Sequence, residues 1–161
     1  MRLVVGPVLL LLCACAQYDV AINERVVYTP RPLLTDFEVS DAGLQACLER
    51  AIDQDKISNA GQLQTLACND AGIRELTGLA RFSGLTRLEL SGNQITDLQE
   101  LSALLDLRTL MLEGNRIKNP APLYGLTELT VLDLRGNPGL LCPARRHMPQ
   151  LRRLDLPSHC R

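Results

Sequence analysis

The amino-acid sequence predicts an α/β solenoid of about five short coils, with a parallel β-sheet on its concave side and an N-terminal helical cap. Three observations support this prediction. A leucine pattern returns every 22 residues, the residues at its centre alternate in polarity, and an amphipathic stretch precedes the first copy. A fixed period of this kind is typical of stacked repeats, in which each unit contacts only its neighbours.

The clearest copy of the repeat runs over residues 85–95 and has the pattern L-x-x-L-x-L-x-x-N-x-I. Its leading leucine recurs at Leu63, Leu85, Leu107, Leu129 and Leu151. The central x-L-x-L-x segment predicts a short strand with its leucines on one face, because successive side chains of a strand point to opposite sides. Asn93, Asn115 and Asn137 share one position, and we expect their amides to satisfy backbone groups in the following turn.

The return segment of each coil has a different period. Its apolar residues are three apart, as at Ile95, Leu98, Leu101, Leu104 and Leu107. This spacing suits 3₁₀ turns, which have three residues per turn, better than an α-helix. A coil of 22 residues also has little room for a full helix opposite its strand. We therefore predict an irregular convex side that is rich in 3₁₀ structure.

The phrases LSGNQITDLQEL and LEGNRIKNPAPLYGL resemble the short leucine-rich repeats of bacterial internalin-type proteins. The resemblance covers about residues 36–161. It implies a short leucine-rich repeat array, which is a curved solenoid that binds another macromolecule and has no active site. It does not identify the partner.

The first 14 residues have the composition of a secretory signal. One positive charge precedes an apolar run of about ten residues, which is shorter than the roughly 20 that a membrane span needs. The sequence Leu12-Cys13-Ala14-Cys15 is similar to a bacterial lipobox, which predicts cleavage before Cys15 and lipidation of its thiol. An ordinary signal peptide cut near Ala16 is the alternative. Because Ala16 rather than Asp follows Cys15, we expect a lipid-anchored envelope protein that is sorted to the outer membrane.

Residues 15–35 contain Pro30 and Pro32 and show no clear period. Proline favours extended conformations, so we predict a tether between the lipid and the folded domain. The alternative is an additional strand around Val26–Tyr28.

Residues 36–62 are predicted to form the N-terminal cap. Ser40 is the expected N-cap of its helix, with Asp41 in the first turn. The apolar face of the helix would cover the open end of the first coil, because an exposed layer of leucines would be adhesive. The repeat domain, with a disulfide cap at its C-terminal end, then occupies residues 63–161.

Apart from Cys13 and Cys15, which belong to the signal and its lipidation site, the chain has four cysteines, and an even number in an exported protein indicates disulfides. Proximity in sequence favours Cys47–Cys68 and Cys142–Cys160, each of which would staple one end of the array. Cys142 lies 22 residues after Pro120, so we expect it to occupy a core position.

A zinc site is the rival interpretation of these cysteines, and we predict no metal and no cofactor. The chain has no C-x-x-C motif, and its two histidines, His147 and His159, both lie at one end. His159 falls at the repeat position of the asparagines, which favours a structural role in the turn, and we expect His147 to be solvated. No arrangement of nucleophile, base and acid emerges, so the sequence does not indicate an enzyme.

Two surfaces are candidates for binding. The exact repeat places the outward residues of the strands on one concave face, whose most distinctive members are Arg87, Glu89, Met111, Asp133, Arg135 and Arg153. The alternative is a basic C-terminal end that contains Arg145, Arg146, Arg152, Arg153 and Arg161. The concave face has mixed charge and no aromatic residue, so we expect a polar contact.

The whole chain has a formal net charge of −1, which gives no indication of nucleic-acid binding. We predict a monomeric, membrane-anchored module that binds a protein partner in the bacterial cell envelope. The alternative is a structural or spacing lipoprotein that contacts peptidoglycan, anionic lipid or lipopolysaccharide.

Overall fold

The computed structural model describes residues 20–22, 25–28 and 32–160. The chain divides into two units, Met1–Pro32 and Leu33–Arg161. The predicted signal sequence and the predicted lipidation site at Cys15 lie outside the described residues. None of the helices described is long and apolar enough to cross a membrane.

In the first unit, β1 (Val20–Ile22) and β2 (Arg25–Tyr28) pair in an antiparallel ladder. Strand β2 covers the segment for which the sequence left a strand as the alternative, and β1 was not expected. The stretch predicted to be an extended tether therefore contains a short β-hairpin. Its role as a tether stays a prediction.

The N-terminal cap of the second unit is built on α1 (Ala42–Asp55). Its buried face consists of Leu44, Cys47, Leu48 and Ile52. The N-cap is Asp41 and not Ser40, because the Asp41 backbone is extended and its Oδ1 accepts from the amides of Gly43 and Leu44 at 2.9 and 3.1 Å. Asp41 Oδ2 also accepts from the backbone N–H of Arg74 at 2.9 Å, which ties the start of the helix to the first coil.

Five strands form a parallel sheet in sequence order. They are β3 (Thr65–Ala67), β4 (Arg87–Glu89), β5 (Thr109–Met111), β6 (Val131–Asp133) and β7 (Arg153–Asp155). Each residue pairs with the one 22 positions later, as Leu88 does with Leu110, so the repeat period is also the sheet register. Short 3₁₀ helices such as Leu79–Arg81 and Gln99–Ala103 form the opposite side. The predicted α/β solenoid is confirmed.

The asparagines of the repeat connect each coil to the one before it. Asn115 is 3% exposed, and its Nδ2 donates to the carbonyls of Leu112 in its own coil and Leu90 in the previous coil. Its Oδ1 accepts from the backbone N–H of Ile95 at 3.1 Å. Asn93 and Asn137 make equivalent bonds. The asparagine amides therefore pair with backbone groups of the turn and of the previous coil, which is the role predicted from the sequence.

The fourth coil departs from the repeat after Asn137. Leu140 is the buried residue of this segment and lies one position later than Ile95 and Ile117 do in their coils. The one-residue shift places Pro143 in the buried position, so Cys142 is exposed and its predicted core position was wrong. The same shift leaves Leu141 67% exposed.

Candidate protein-binding face

The concave face consists of the side chains that alternate with the buried leucines of the sheet. Strand pairing aligns one row as Thr65, Arg87, Thr109, Val131 and Arg153. It aligns a second row as Ala67, Glu89, Met111, Asp133 and Asp155. Five of the six residues predicted to bind a ligand therefore lie on one face. The sixth, Arg135, lies two residues beyond the end of β6 and reaches back to it.

Charged residues on this face pair along their own strands. The Arg87 guanidinium lies 2.6 Å from Glu89 Oε1 on β4, and Arg153 Nε lies 2.6 Å from Asp155 Oδ2 on β7. The arginine side chains of these pairs are 49% and 62% exposed. Exposed pairs of this kind contribute about 0–1 kcal/mol to stability. Both arginines can therefore exchange an intramolecular partner for a carboxylate of a bound molecule at little cost.

Asp133 differs from the other acids of the face, because it is only 3% exposed. Its carboxylate accepts from Arg135 Nε at 3.0 Å and from the Arg135 backbone N–H at 3.0 Å. Burial by itself would raise the pKa of Asp133, but the hydrogen bonds and charge of Arg135, with the charge of Arg153, outweigh it and lower the pKa. The sequence placed Asp133 among the outward ligand contacts, whereas the structure makes it the support that holds Arg135.

Arg135 is the most strongly positioned cation of the face. Its guanidinium spans Asp133 and Glu113, with an NH2–Oε2 distance of 2.9 Å to the latter. The hydrogen bonds that Arg135 donates to Asp133 raise the pKa of Arg135 above its ordinary value, so the group stays charged. Its side chain is still 45% exposed. This network also compensates the like charges that the register brings together at Asp133 and Asp155.

Between the charged pairs lies an uncharged centre formed by Thr109 and Met111 on β5 and Val131 on β6. All three are partly exposed. Met111 was predicted from the sequence, but Thr109 and Val131 were not, because threonine and valine are ordinary strand residues when taken singly. The signal was present in the order of the repeats, since the strands read R-L-E, T-L-M, V-L-D and R-L-D from β4 to β7.

Both disulfide pairings favoured by the sequence are present. Cys47 and Cys68 join α1 to the first coil with 5.8 Å between their Cα atoms, and both are at most 5% exposed. Cys142 and Cys160 join the last two coils with 5.3 Å between their Cα atoms. In this second pair Cys142 is exposed and Cys160 is partly buried.

The arginines of the alternative basic surface differ in their surroundings within the part of the chain that the structure describes. The Arg145 guanidinium donates to the carbonyl of Leu151 at 3.0 Å, and Arg153 belongs to the concave face. Arg161 lies outside the described residues. Arg146 and Arg152 remain exposed, with no carboxylate of another described residue within 4.0 Å.

The two histidines have separate surroundings. His159 Nε2 lies 3.0 Å from the carbonyl oxygen of Leu140, which is a contact in the turn, although its partner differs from those of the asparagines. His147 is exposed, as expected, and its ring lies 4.8 Å from that of Tyr124 between centroids.

Solved leucine-rich repeat structures resemble this fold. An internalin C2 from Listeria monocytogenes is 28% identical, with a TM-score of 0.63 over 73% of this chain and 55% of that chain. An internalin, InlF, from the same species is 24% identical, with a TM-score of 0.59 over 71% of this chain and 42% of that chain. A leucine-rich repeat protein of Leptospira interrogans is 31% identical, with a TM-score of 0.52 over 60% of this chain and 26% of that chain.

The chain spans about half the length of the two internalins it matches. No protein-family model and no curated protein sequence matches it. The structural neighbours confirm a leucine-rich repeat solenoid with an N-terminal helix.

Proposed function

We propose that this chain is a lipid-anchored leucine-rich repeat module that binds a protein partner in the bacterial cell envelope through its concave face. The observation that carries the proposal is the uncharged centre at Thr109, Met111 and Val131, with ion pairs on both sides. Protein interfaces place a desolvated apolar anchor at the centre and polar groups at the rim. The concave face has that arrangement before any partner arrives.

Individual groups of the face indicate what the partner offers. The uncharged centre fits an aliphatic side chain of the partner, since Met111 is unbranched and adapts to irregular shapes. Arg135 is held by Asp133 and turned toward solvent, which suits it to bind a carboxylate with little loss of side-chain entropy. Arg87 and Arg153 supply two further cations at the borders.

The size of the face sets the expected strength of binding. Strands in a sheet are about 4.8 Å apart, so five strands span only about 20 Å. Such a footprint lies near the lower limit for a specific protein contact. The charged rim is solvent-exposed, so we expect a micromolar interaction that weakens as salt increases. The protein acts as a monomer in this proposal.

Membrane attachment is the second part of the proposal, and it rests on the lipobox-like sequence that ends at Cys15. A diacylglyceryl group on that thiol, with further acylation, would anchor the chain stably because each buried CH₂ contributes about 0.8 kcal/mol. Replacing Cys15 with Ser should release the protein from outer-membrane fractions and abolish labelling by a fatty-acid probe. Labelling that persists in the Cys15→Ser variant would show that the anchor is elsewhere or absent.

The binding proposal is tested by capture from envelope extract with two matched double variants of the mature domain. Arg87→Glu with Met111→Glu alters the concave face, and Arg146→Glu with Arg152→Glu alters the C-terminal end. Both sets are at least partly exposed, so circular dichroism and thermal melting should not change. We expect the concave variant to lose its protein partner, with Kd raised about 10-fold or more, and the C-terminal variant to keep it.

The opposite result would transfer the binding function to the C-terminal end. Retention of the mature domain on purified peptidoglycan, without any stoichiometric protein partner, would instead support the structural or spacing role. Binding to anionic lipid or lipopolysaccharide vesicles that only the Arg146→Glu, Arg152→Glu variant loses would support the lipid-contact alternative.

A further inference from the structure

The exposed disulfide at the C-terminal end lies beside a histidine. Cys142, His159 and Cys160 offer two sulphur atoms and a ring nitrogen, all within 4.8 Å of one another. The Leu140 carbonyl can only accept a hydrogen bond, so the 3.0 Å contact places the proton on His159 Nε2 and leaves a lone pair on Nδ1. Metal-binding histidines are typically held in this way, with one ring N–H donated to a carbonyl and the other nitrogen free.

We propose that reduction of the Cys142–Cys160 disulfide converts this end of the protein into a zinc site formed by Cys142, Cys160 and His159. The reductant is a dithiol. It transfers two electrons and two protons to the disulfide, becomes a cyclic or intramolecular disulfide itself, and leaves two thiols on the protein. Zn²⁺ then binds the two sulphurs as thiolates, which releases two protons, and takes its third ligand from the imidazole.

Disulfide and metal are alternative states of the same residues. Zinc binds thiolates, and a disulfide has none, so the oxidised protein lacks two of the three ligands. Two protein thiolates at about 2.3 Å from a tetrahedral ion lie roughly 3.8 Å apart, which is wider than a disulfide. The required separation can come mainly from movement of Cys142, which is exposed, since Cys160 in the short 3₁₀ helix Ser158–Cys160 is partly buried against the core.

The two disulfides differ in how easily a reductant can reach them, so reduction should be selective for the C-terminal pair. Attack on a disulfide requires a thiolate to approach one sulphur directly. The Cys47–Cys68 pair is at most 5% exposed and lies under α1, whereas Cys142 faces solvent. A mild dithiol therefore reduces the C-terminal pair first, and the N-terminal pair serves as an internal control.

The experiment treats the mature protein with limiting dithiothreitol, removes the reductant without oxygen, and adds Zn²⁺ or Co²⁺. We expect native mass spectrometry to show one zinc per chain and Co²⁺ to give thiolate charge-transfer absorption. Zinc should protect Cys142 and Cys160 from alkylation. The oxidised protein should bind none.

His159→Ala is the decisive variant and His147→Ala is its matched control, since both remove one exposed imidazole and keep every cysteine. We expect the first to weaken zinc binding by at least about 10-fold and the second to leave it unchanged. Equal affinity in both variants, or no zinc on the reduced wild type, would overturn the proposal. Neither result bears on partner binding by the concave face, which is measured on the oxidised protein.

Discussion

Each end of the repeat array has one disulfide, but the N-terminal disulfide is buried and the C-terminal one is exposed at Cys142. At the N-terminal end, the Cys47–Cys68 disulfide lies inside a packed layer under α1. At the C-terminal end, Cys142 is exposed and the strand leucine Leu154 is only partly buried, whereas Leu66 in the first strand is 1% exposed. The first disulfide reinforces a core that α1 already covers. The second lies at an end where the core residues are less completely buried.

The difference arises from the sequence of the last complete return segment. Leu79, Leu101 and Leu123 occupy one buried position in successive coils, and Arg145 stands at the fourth. Burying a charged side chain there without a partner would be costly, and Arg145 is instead exposed, with its guanidinium donating to the Leu151 carbonyl. One end of a solenoid can thus be closed by apolar packing while the other relies on a covalent bond and a few polar contacts.

The largest effects should come from removing each disulfide in turn. The two bonds close loops of similar size, with sequence separations of 21 and 18, so the chain-entropy contribution of each is about 3 kcal/mol. The Cys47→Ala, Cys68→Ala variant should also lose packing beneath α1, so its urea midpoint should fall most. The Cys142→Ala, Cys160→Ala variant should mainly open the last coil, because repeat stability is a sum of neighbour contacts.

Hydrogen exchange distinguishes the two outcomes. In the C-terminal variant, faster exchange should be confined to amides around β7, with β4 and β5 still protected. In the N-terminal variant, α1 and β3 should lose protection together. Equal midpoints and equal exchange patterns would mean that burial does not distinguish the two ends.

Asp41→Asn should lower the free energy of unfolding by a smaller amount. This variant separates the capping of α1 from the bond that ties α1 to the first coil. Asn retains one acceptor for the Gly43 and Leu44 amides, but its NH₂ group would face the Arg74 N–H that Asp41 Oδ2 now accepts. We expect a loss of about 1 kcal/mol at pH 7, measured by urea denaturation. Asp41→Ala, which also removes the cap, should cost roughly 2 kcal/mol.

The pH dependence of these variants has a definite sign. Burial tends to raise the pKa of Asp41, but hydrogen bonds from the amides of Arg74, Leu44, Glu75 and Gly43 outweigh it and lower the pKa below its ordinary value. A depressed carboxyl pKa stabilises the folded state above the unfolded-state value, and that contribution is lost as pH falls through the folded-state pKa. The stability difference between wild type and Asp41→Asn should therefore shrink below about pH 4. A constant difference from pH 7 to pH 3 would contradict this role.

The sequence predicted those features that repeat and missed those that depend on a single distant contact. The sheet register and the asparagine bonds follow from the 22-residue spacing, because the same residue types recur at the same positions in successive coils. The choice of Asp41 over Ser40 as N-cap could not be predicted, since both are good caps and the Arg74 amide, 33 residues away, decides between them.

Other differences have equally local causes. The exposure of Cys142 follows from the one-residue shift after Asn137, where a Pro-Gly pair replaces the usual apolar position. The burial of Asp133 depends on Arg135 folding back over it, which strand alternation does not reveal. Strand β1 has only three residues, which is too few to show a period.

The asparagine bonds have a consequence for how the array can change in length. The side chains of Asn93, Asn115 and Asn137 each hydrogen-bond within their own coil and to the coil before, so these coils are joined to their predecessors by the same bonds. Duplication of residues 85–106 would add one more coil between unchanged ends and lengthen the concave face by about 4.8 Å. The length of the concave face can therefore change by one coil at a time without any change in the N-terminal cap or the C-terminal disulfide.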